Sequence, residues 1–219
     1  MIARYLFSAW LAALLAVGAA ALAQDERPSS EAPESEVGAE QLSSAERTVE
    51  RFHEALVRVA AEHGDEPVAV RYDALLPVVT ETHDLPYIAE VTLRREWRDL
   101  GDDERERFVD AFVRLSVATY ASRFGQLGPG MFSLDGAKPL PGGRVQVGAT
   151  LRTREGRTIP FEYVLHETDA GWKIVNILAD NVSDLALKRA EYRRILDAGS
   201  IDDVIAELER QAAEQLDGA

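Results

Sequence analysis

An α+β fold is predicted, because the hydrophobic pattern changes period twice along the chain. Segments up to about residue 124, and again after residue 183, place apolar residues three and four apart, as helices do. Between them, residues 131–178 alternate apolar and polar, as strands with one covered face do. The longest helical segment is apolar over an unusually wide arc, which places it between two packed neighbours. Together these features predict a helical bundle packed against a curved antiparallel sheet of about four strands, consecutive in sequence.

The first element is an export signal. Arg4 precedes an uncharged apolar run from Leu6 to Leu22, and Ala21-Leu22-Ala23 is a small-x-small cleavage site before Gln24. Residues 1–23 are therefore read as a signal peptide. Residues 24–44 contain six acidic residues and one Arg, with Val37 and Leu42 as their only large apolar side chains. So little apolar surface cannot offset the entropy of ordering, and the stretch is read as a disordered acidic linker. The folded domain is assigned to residues 45–216.

Ser43-Ser44-Ala45-Glu46 has the form of a capping box and opens the first helix. Val49, Phe52, Leu56 and Val59 give that helix its apolar stripe, and His63-Gly64 closes it. A second helix starts near Asp65 and Pro67 and carries Val68, Tyr72, Leu75, Leu76 and Val79. Asp84 is a candidate N-cap for a third, which carries Leu85, Ile88, Val91 and Leu93 towards Trp97. Asp102 and Asp103 open the longest helix, their charges favoured by its dipole. Its adjacent stripes are Phe108, Phe112, Leu115 and Thr119, and Val109, Val113, Val117, Tyr120 and Phe124.

Gly128-Pro129-Gly130 then breaks the helical period. An edge strand is predicted near Met131 to Leu134. Val145, Val147, Ala149 and Leu151 form the inward face of the next strand; Ile159, Phe161, Tyr163 and Leu165 form that of the one after. Glu155-Gly156 and Asp169-Ala170-Gly171 supply the turns. Trp172 to Leu178 is apolar on both faces, as in a central strand. Asp180 is read as shaping the turn into the following helix, which Ser183 caps. Gly199 ends that helix, and Ser200 caps the last one, which runs to about Leu216.

Composition narrows the functional classes. There are no cysteines, which excludes disulfides, thiolate metal sites and a cysteine nucleophile. A formal charge of −14 is a poor match for nucleic acid, whose phosphates require Lys and Arg. His53, His63, His83 and His166 show no metal-ligand spacing, so no metal site is assigned. No G-x-S-x-G elbow or Gly-rich phosphate loop is present. Asn181-Val182-Ser183 matches a glycosylation sequon, but Ser183 is better explained as a helix cap. Tyr120 and Tyr163, on apolar stripes, are read as core tyrosines whose hydroxyls reach a partner.

Four stretches carry a resemblance to the MlaC family of periplasmic phospholipid-binding proteins, also called the toluene-tolerance family. They are DLPYIAEVTLRREW, ERFVDAFVRLSVATYASRF, FEYVLHETDAGWKIVNILADNVSDL and KRAEYRRILDAGSIDDVIAELER. The match departs where the family pattern Leu-Gly-x-x-Trp reads Leu93-Arg94-Arg95-Glu96-Trp97, and where a usual Gly is replaced by Asn181.

The resemblance implies an apolar cavity between helices and sheet. Its wall is expected to include Phe112, Ser116, Tyr120, Val147, Leu151, Phe161, Tyr163 and Val175. It further implies a periplasmic, non-enzymatic carrier, needing no cofactor, that shuttles phospholipid between membrane complexes. The partners would be an outer-membrane lipoprotein complex and an inner-membrane ABC transporter with its lipid-binding ring protein. A hopanoid-associated lipid-binding protein is the alternative within the family. Outside it stand an isomerase-like enzyme with a pocket, which would need an inward His or carboxylate, and a protein-binding module with an ordinary packed core.

Overall fold

The computed structural model describes residues 37–218. The signal peptide and residues 24–36 of the expected linker lie outside them. The chain order is α1 (Ala39–His63), α2 (Val68–Thr82), α3 (Leu85–Leu93), α4 (Glu96–Asp99), α5 (Asp102–Arg123), β1 (Phe132–Leu140), β2 (Arg144–Arg152), β3 (Thr158–Thr168), β4 (Gly171–Ala179), β5 (Val182–Ser183), α6 (Asp184–Leu196) and α7 (Ile201–Leu216).

The strands form one antiparallel sheet in the order β1-β2-β3-β4-β5, each paired with its neighbour in sequence. The inward set of β2, Val145, Val147, Ala149 and Leu151, is buried, as are Tyr163 and Leu165 of β3. Helix α1 packs across this face against β1, β2 and β4, while α5 packs among α2, α3 and α7. The wide apolar arc of α5 thus serves three helical neighbours.

Several expectations need correction. The first helix starts at Ala39, so residues 39–44 are helical and not linker. Val37 and Leu42, the two large apolar residues of that stretch, pack against the core and supply the missing burial. The Gln41 side chain accepts from the Gly38 N–H at 2.8 Å, so capping occurs there and not at Ser43. With 25 residues against 22, α1 and not α5 is the longest helix among the described residues. The third helix does not reach Trp97: it stops at Leu93, and Arg94 turns the chain with φ 56° and ψ −114° before the short α4. Strand β1 is longer than expected, with a bulge between Leu134 and Gly136.

The strand of Trp172 to Leu178 is not central. Beyond it lies only the two-residue β5. Both its faces are apolar because a bulge opposite Val164 and Leu165 puts Ile174 and Val175 inside together. Asp180 and Asn181 make the tight reversal into β5 with φ of 52° and 62°, a conformation Asp and Asn tolerate better than most residues. Ser183 then caps α6, its Oγ accepting from the Ala186 N–H at 3.1 Å.

Candidate functional site

The cleft where helices meet β4 is built by α3, α5, α6 and the strand itself. Helix α5 presents Phe112, Ser116 and Tyr120, one per turn along one face. Leu85 and Ile88 come from α3, Ile174 to Ile177 from β4, and Asp184 and Leu185 from the first turn of α6. His83, between α2 and α3, closes one side. The cleft volume is about 20 Å³, room for about one water. Ligand pockets run to about 300–1,000 Å³, so this cleft is closed to a lipid as it stands.

The wall residues expected from sequence divide in two. Phe112, Ser116, Tyr120 and Val175 line the cleft. Val147, Leu151, Phe161 and Tyr163 lie on the inner face of the sheet, outside that lining. Aromatic rings join the two groups: Tyr120 lies 6.2 Å from Phe124, which is 6.5 Å from Phe132, which is 6.2 Å from Phe161.

Two buried histidines complete the interior, and neither was singled out from sequence. The Nε2 of His53, on α1, lies 2.8 Å from the Tyr163 hydroxyl, and its ring stacks on Phe132 at 3.9 Å. His83 Nε2 lies 3.2 Å from the Tyr120 hydroxyl. Both tyrosine hydroxyls therefore have partners. Burial lowers the pKa of His53 to about 4 and of His83 to about 3, so both rings are neutral near pH 7.

Neutrality fixes the proton placement around His83. The Thr82 hydroxyl donates its one proton to the Val78 carbonyl at 2.7 Å. It must then accept from His83 Nδ1–H, 3.0 Å away. Nε2 is left as the acceptor for the Tyr120 O–H. A helix-stripe search does not find His83, because it sits between helices. The signal was available one residue on, at the N-cap Asp84, which starts α3 with two residues separating it from α2.

The lining includes the polar side chains Asn176 and Asp184. Lys188 Nζ holds both Asp184 carboxylate oxygens at 2.8 and 2.9 Å. Asn176 Oδ1 accepts from Ser183 Oγ at 3.1 Å and from the Leu185 N–H at 3.3 Å, which ties β4 to the start of α6. Among the described residues, no group of three or more His, Cys, Asp or Glu side chains is placed to hold a metal ion, and no helix is long and apolar enough to cross a membrane.

Comparison with known proteins places this architecture. A sequence model described as MlaC protein matches residues 46–210. A solved structure of a phospholipid-binding protein from Ralstonia solanacearum, in complex with a phospholipid, is similar with a TM-score of 0.70 and 14% sequence identity. The alignment covers 78% of this chain and 98% of that one. At that identity the likeness is one of fold. None of the curated protein sequences compared matches the chain.

Proposed function

This chain belongs to the MlaC family, and from that membership we propose that it is a periplasmic phospholipid carrier. The observation that carries the reading is the cleft itself: an apolar face of α5 opposed to β4, with Asn176 and Asp184 as polar parts of the lining and Lys188 held on Asp184. Acyl chains enter between α5, α3 and β4, and the headgroup stays at the mouth. Phe112, Ser116, Tyr120 and Val175 form the wall that opens first. Val147, Leu151, Phe161 and Tyr163 become wall as the opening deepens toward the sheet. The fold shared with a protein solved in complex with a phospholipid supports this assignment.

Energetics favour exchange over capture. Two acyl chains hold about thirty methylenes, each worth about 0.8 kcal/mol on leaving water. That gross value exceeds known non-covalent affinities, which saturate near about −20 kcal/mol. The working transfer runs from bilayer to cleft, both apolar, and its net value is small. Direction is then set by partners, which we propose are an outer-membrane lipoprotein complex on one side and an inner-membrane ABC transporter with its lipid-binding ring protein on the other.

An enzymatic reading gains one observation, since His83 and Asp184 both line the cleft. It loses it again on inspection of the bonds. Both His83 nitrogens are engaged, by Thr82 and Tyr120, which leaves no lone pair for a substrate proton. Asp184 is held by Lys188 through both oxygens.

Mass spectrometry of an organic extract from the purified mature protein tests the carrier reading. A bound phospholipid is the expected result; a hopanoid would assign the protein to the alternative branch, and an extract free of lipid would count against both. Sequencing of protein recovered from the periplasm should start at Gln24, after removal of residues 1–23.

A further inference from the structure

Arg94 occupies the first central position of a turn with type II′ geometry, a place where glycine is usual. Its φ of 56° with ψ of −114° lies outside the regions comfortable for a residue with a Cβ. The turn is nonetheless held: the Arg94 N–H closes α3 on the Glu90 carbonyl at 3.1 Å. The fold alone would be served at least as well by glycine. Observed strain of this kind points to a task for the side chain.

The surroundings indicate the task. Arg94 is exposed, and its guanidinium makes no hydrogen bond or ion pair among the described residues. Burial lowers the pKa of Arg189 on α6, the Arg94 charge lowers it further, and Tyr87 opposes both. Arg189 is anchored by Nε–H to the Val91 carbonyl at 2.9 Å, at the last turn of α3, and forms no ion pair. The anchor on Val91, three residues before Arg94, brings two like charges onto the same α3–α6 contact, and no carboxylate among the described residues is paired to either. An anion between them would turn mutual repulsion into joint attraction, and guanidinium groups match phosphate oxygens well.

The pair stands on α3 and α6, two helices that line the cleft and pack against each other. Helix α3 gives Leu85 and Ile88 to the cleft and ends at Arg94; α6 gives Asp184 and Leu185 and then Arg189. Ile88 to Arg94 is roughly 9 Å along the helix at 1.5 Å per residue. Tyr87 and Leu187, the exposed large apolar side chains of the described surface, sit on the same two helices at 38% and 44% exposure.

We propose that Arg94 and Arg189 are the seat for the phosphate of the bound lipid, gripping a headgroup that emerges along the α3–α6 seam. The proposal rests on the cleft being a lipid site. Arg94→Gly tests it, because that change removes the guanidinium and the backbone strain together. The delipidated variant should unfold at or above the wild-type temperature. Its binding of fluorescent phosphatidylglycerol should weaken about tenfold, the size of one charge-assisted hydrogen bond. Binding of a diacylglycerol with the same acyl chains, which has no phosphate, should be unchanged. Arg189→Lys, which keeps the charge and loses the fork, should weaken phosphatidylglycerol binding and also spare the diacylglycerol.

Equal effects on both lipids, or none on either, would overturn the phosphate seat while leaving the carrier reading intact. Failure of wild-type protein to bind either lipid would instead remove the carrier reading, and the seat with it. Inorganic phosphate supplies the remaining arm. If it binds wild-type protein and not Arg94→Gly, while the variant still binds phosphatidylglycerol as wild type does, the pair is a free-phosphate site and not a headgroup seat. If Arg94→Gly lowers only cosedimentation with phosphatidylglycerol vesicles, the pair docks on membranes, and the seat is likewise overturned.

Discussion

At the scale of single residues, the two histidine–tyrosine pairs dominate the interior. Both imidazoles are neutral when folded, with pKa values lowered by burial to about 4 at His53 and about 3 at His83. In the unfolded chain each returns to about 6.5. Below that pH the unfolded chain takes up protons that the folded protein refuses. Stability is therefore full above pH 6.5 and falls as the pH drops, by about 1.4 kcal/mol per pH unit for each histidine, until the folded pKa values are reached. Urea midpoints should decline between pH 7 and pH 5, and His53→Gln should flatten the decline. A midpoint constant over that range would show that these rings are not held neutral. Sequence reading found the tyrosines and their need for partners, since Tyr120 and Tyr163 lie on apolar stripes. It did not find the partners. Tyr163 is separated by 110 residues from His53, and no local period encodes such a pairing.

At the scale of elements, the boundaries set by caps were the most legible. Asp84, Ser183 and Ser200 each cap the helix expected from them, because a short polar side chain before an apolar period can satisfy free amide donors; the same signal at Ser43 failed, because the helix had already begun at Ala39. Boundaries set by backbone conformation were less so. The break at Arg94 fell inside an unbroken apolar pattern, and only its dihedral angles, in a region that costs about 1–3 kcal/mol for a residue other than glycine, reveal it. The cleft was legible on α5 and at Val175. The contributions of α3 and α6 were not, because two helices distant in sequence must meet to make them. Caps also differ in weight. Asp84 accepts from the Tyr87 N–H at 3.2 Å through one oxygen and binds His166 Nε2 at 2.8 Å through the other, which fastens α3 to β3. Ser200 caps α7 without such a tie. Thermal unfolding should therefore show Asp84→Ala losing about 2 kcal/mol and Ser200→Ala about 1 kcal/mol, within the usual range for caps. Equal losses would mean that the Asp84–His166 contact contributes nothing.

At the scale of the whole molecule, burial is unevenly shared among the helices. Helix α5 buries residues along its length from Phe108 to Ala121, whereas α6 fully buries only Tyr192. Of the helices that line the cleft, α6 is thus the one least committed to the core, and it is the natural part to swing when the cleft opens. Hydrogen exchange should find α6 amides exchanging faster than those of α5, and phospholipid binding should slow α6 most. Uniform protection of both helices in the lipid-free protein would place the moving part elsewhere. The strand order bears on how such a molecule forms. Each strand pairs with the next in the chain, so the open sheet forms through short hairpin loops, and none of its strands waits for a distant segment. The demanding search belongs to α1, whose Thr48 hydroxyl donates to the Trp172 carbonyl across 124 residues. Contacts of such separation slow folding. In stopped-flow refolding the sheet should therefore assemble early, while the interior stays open to solvent until α1 comes down upon it.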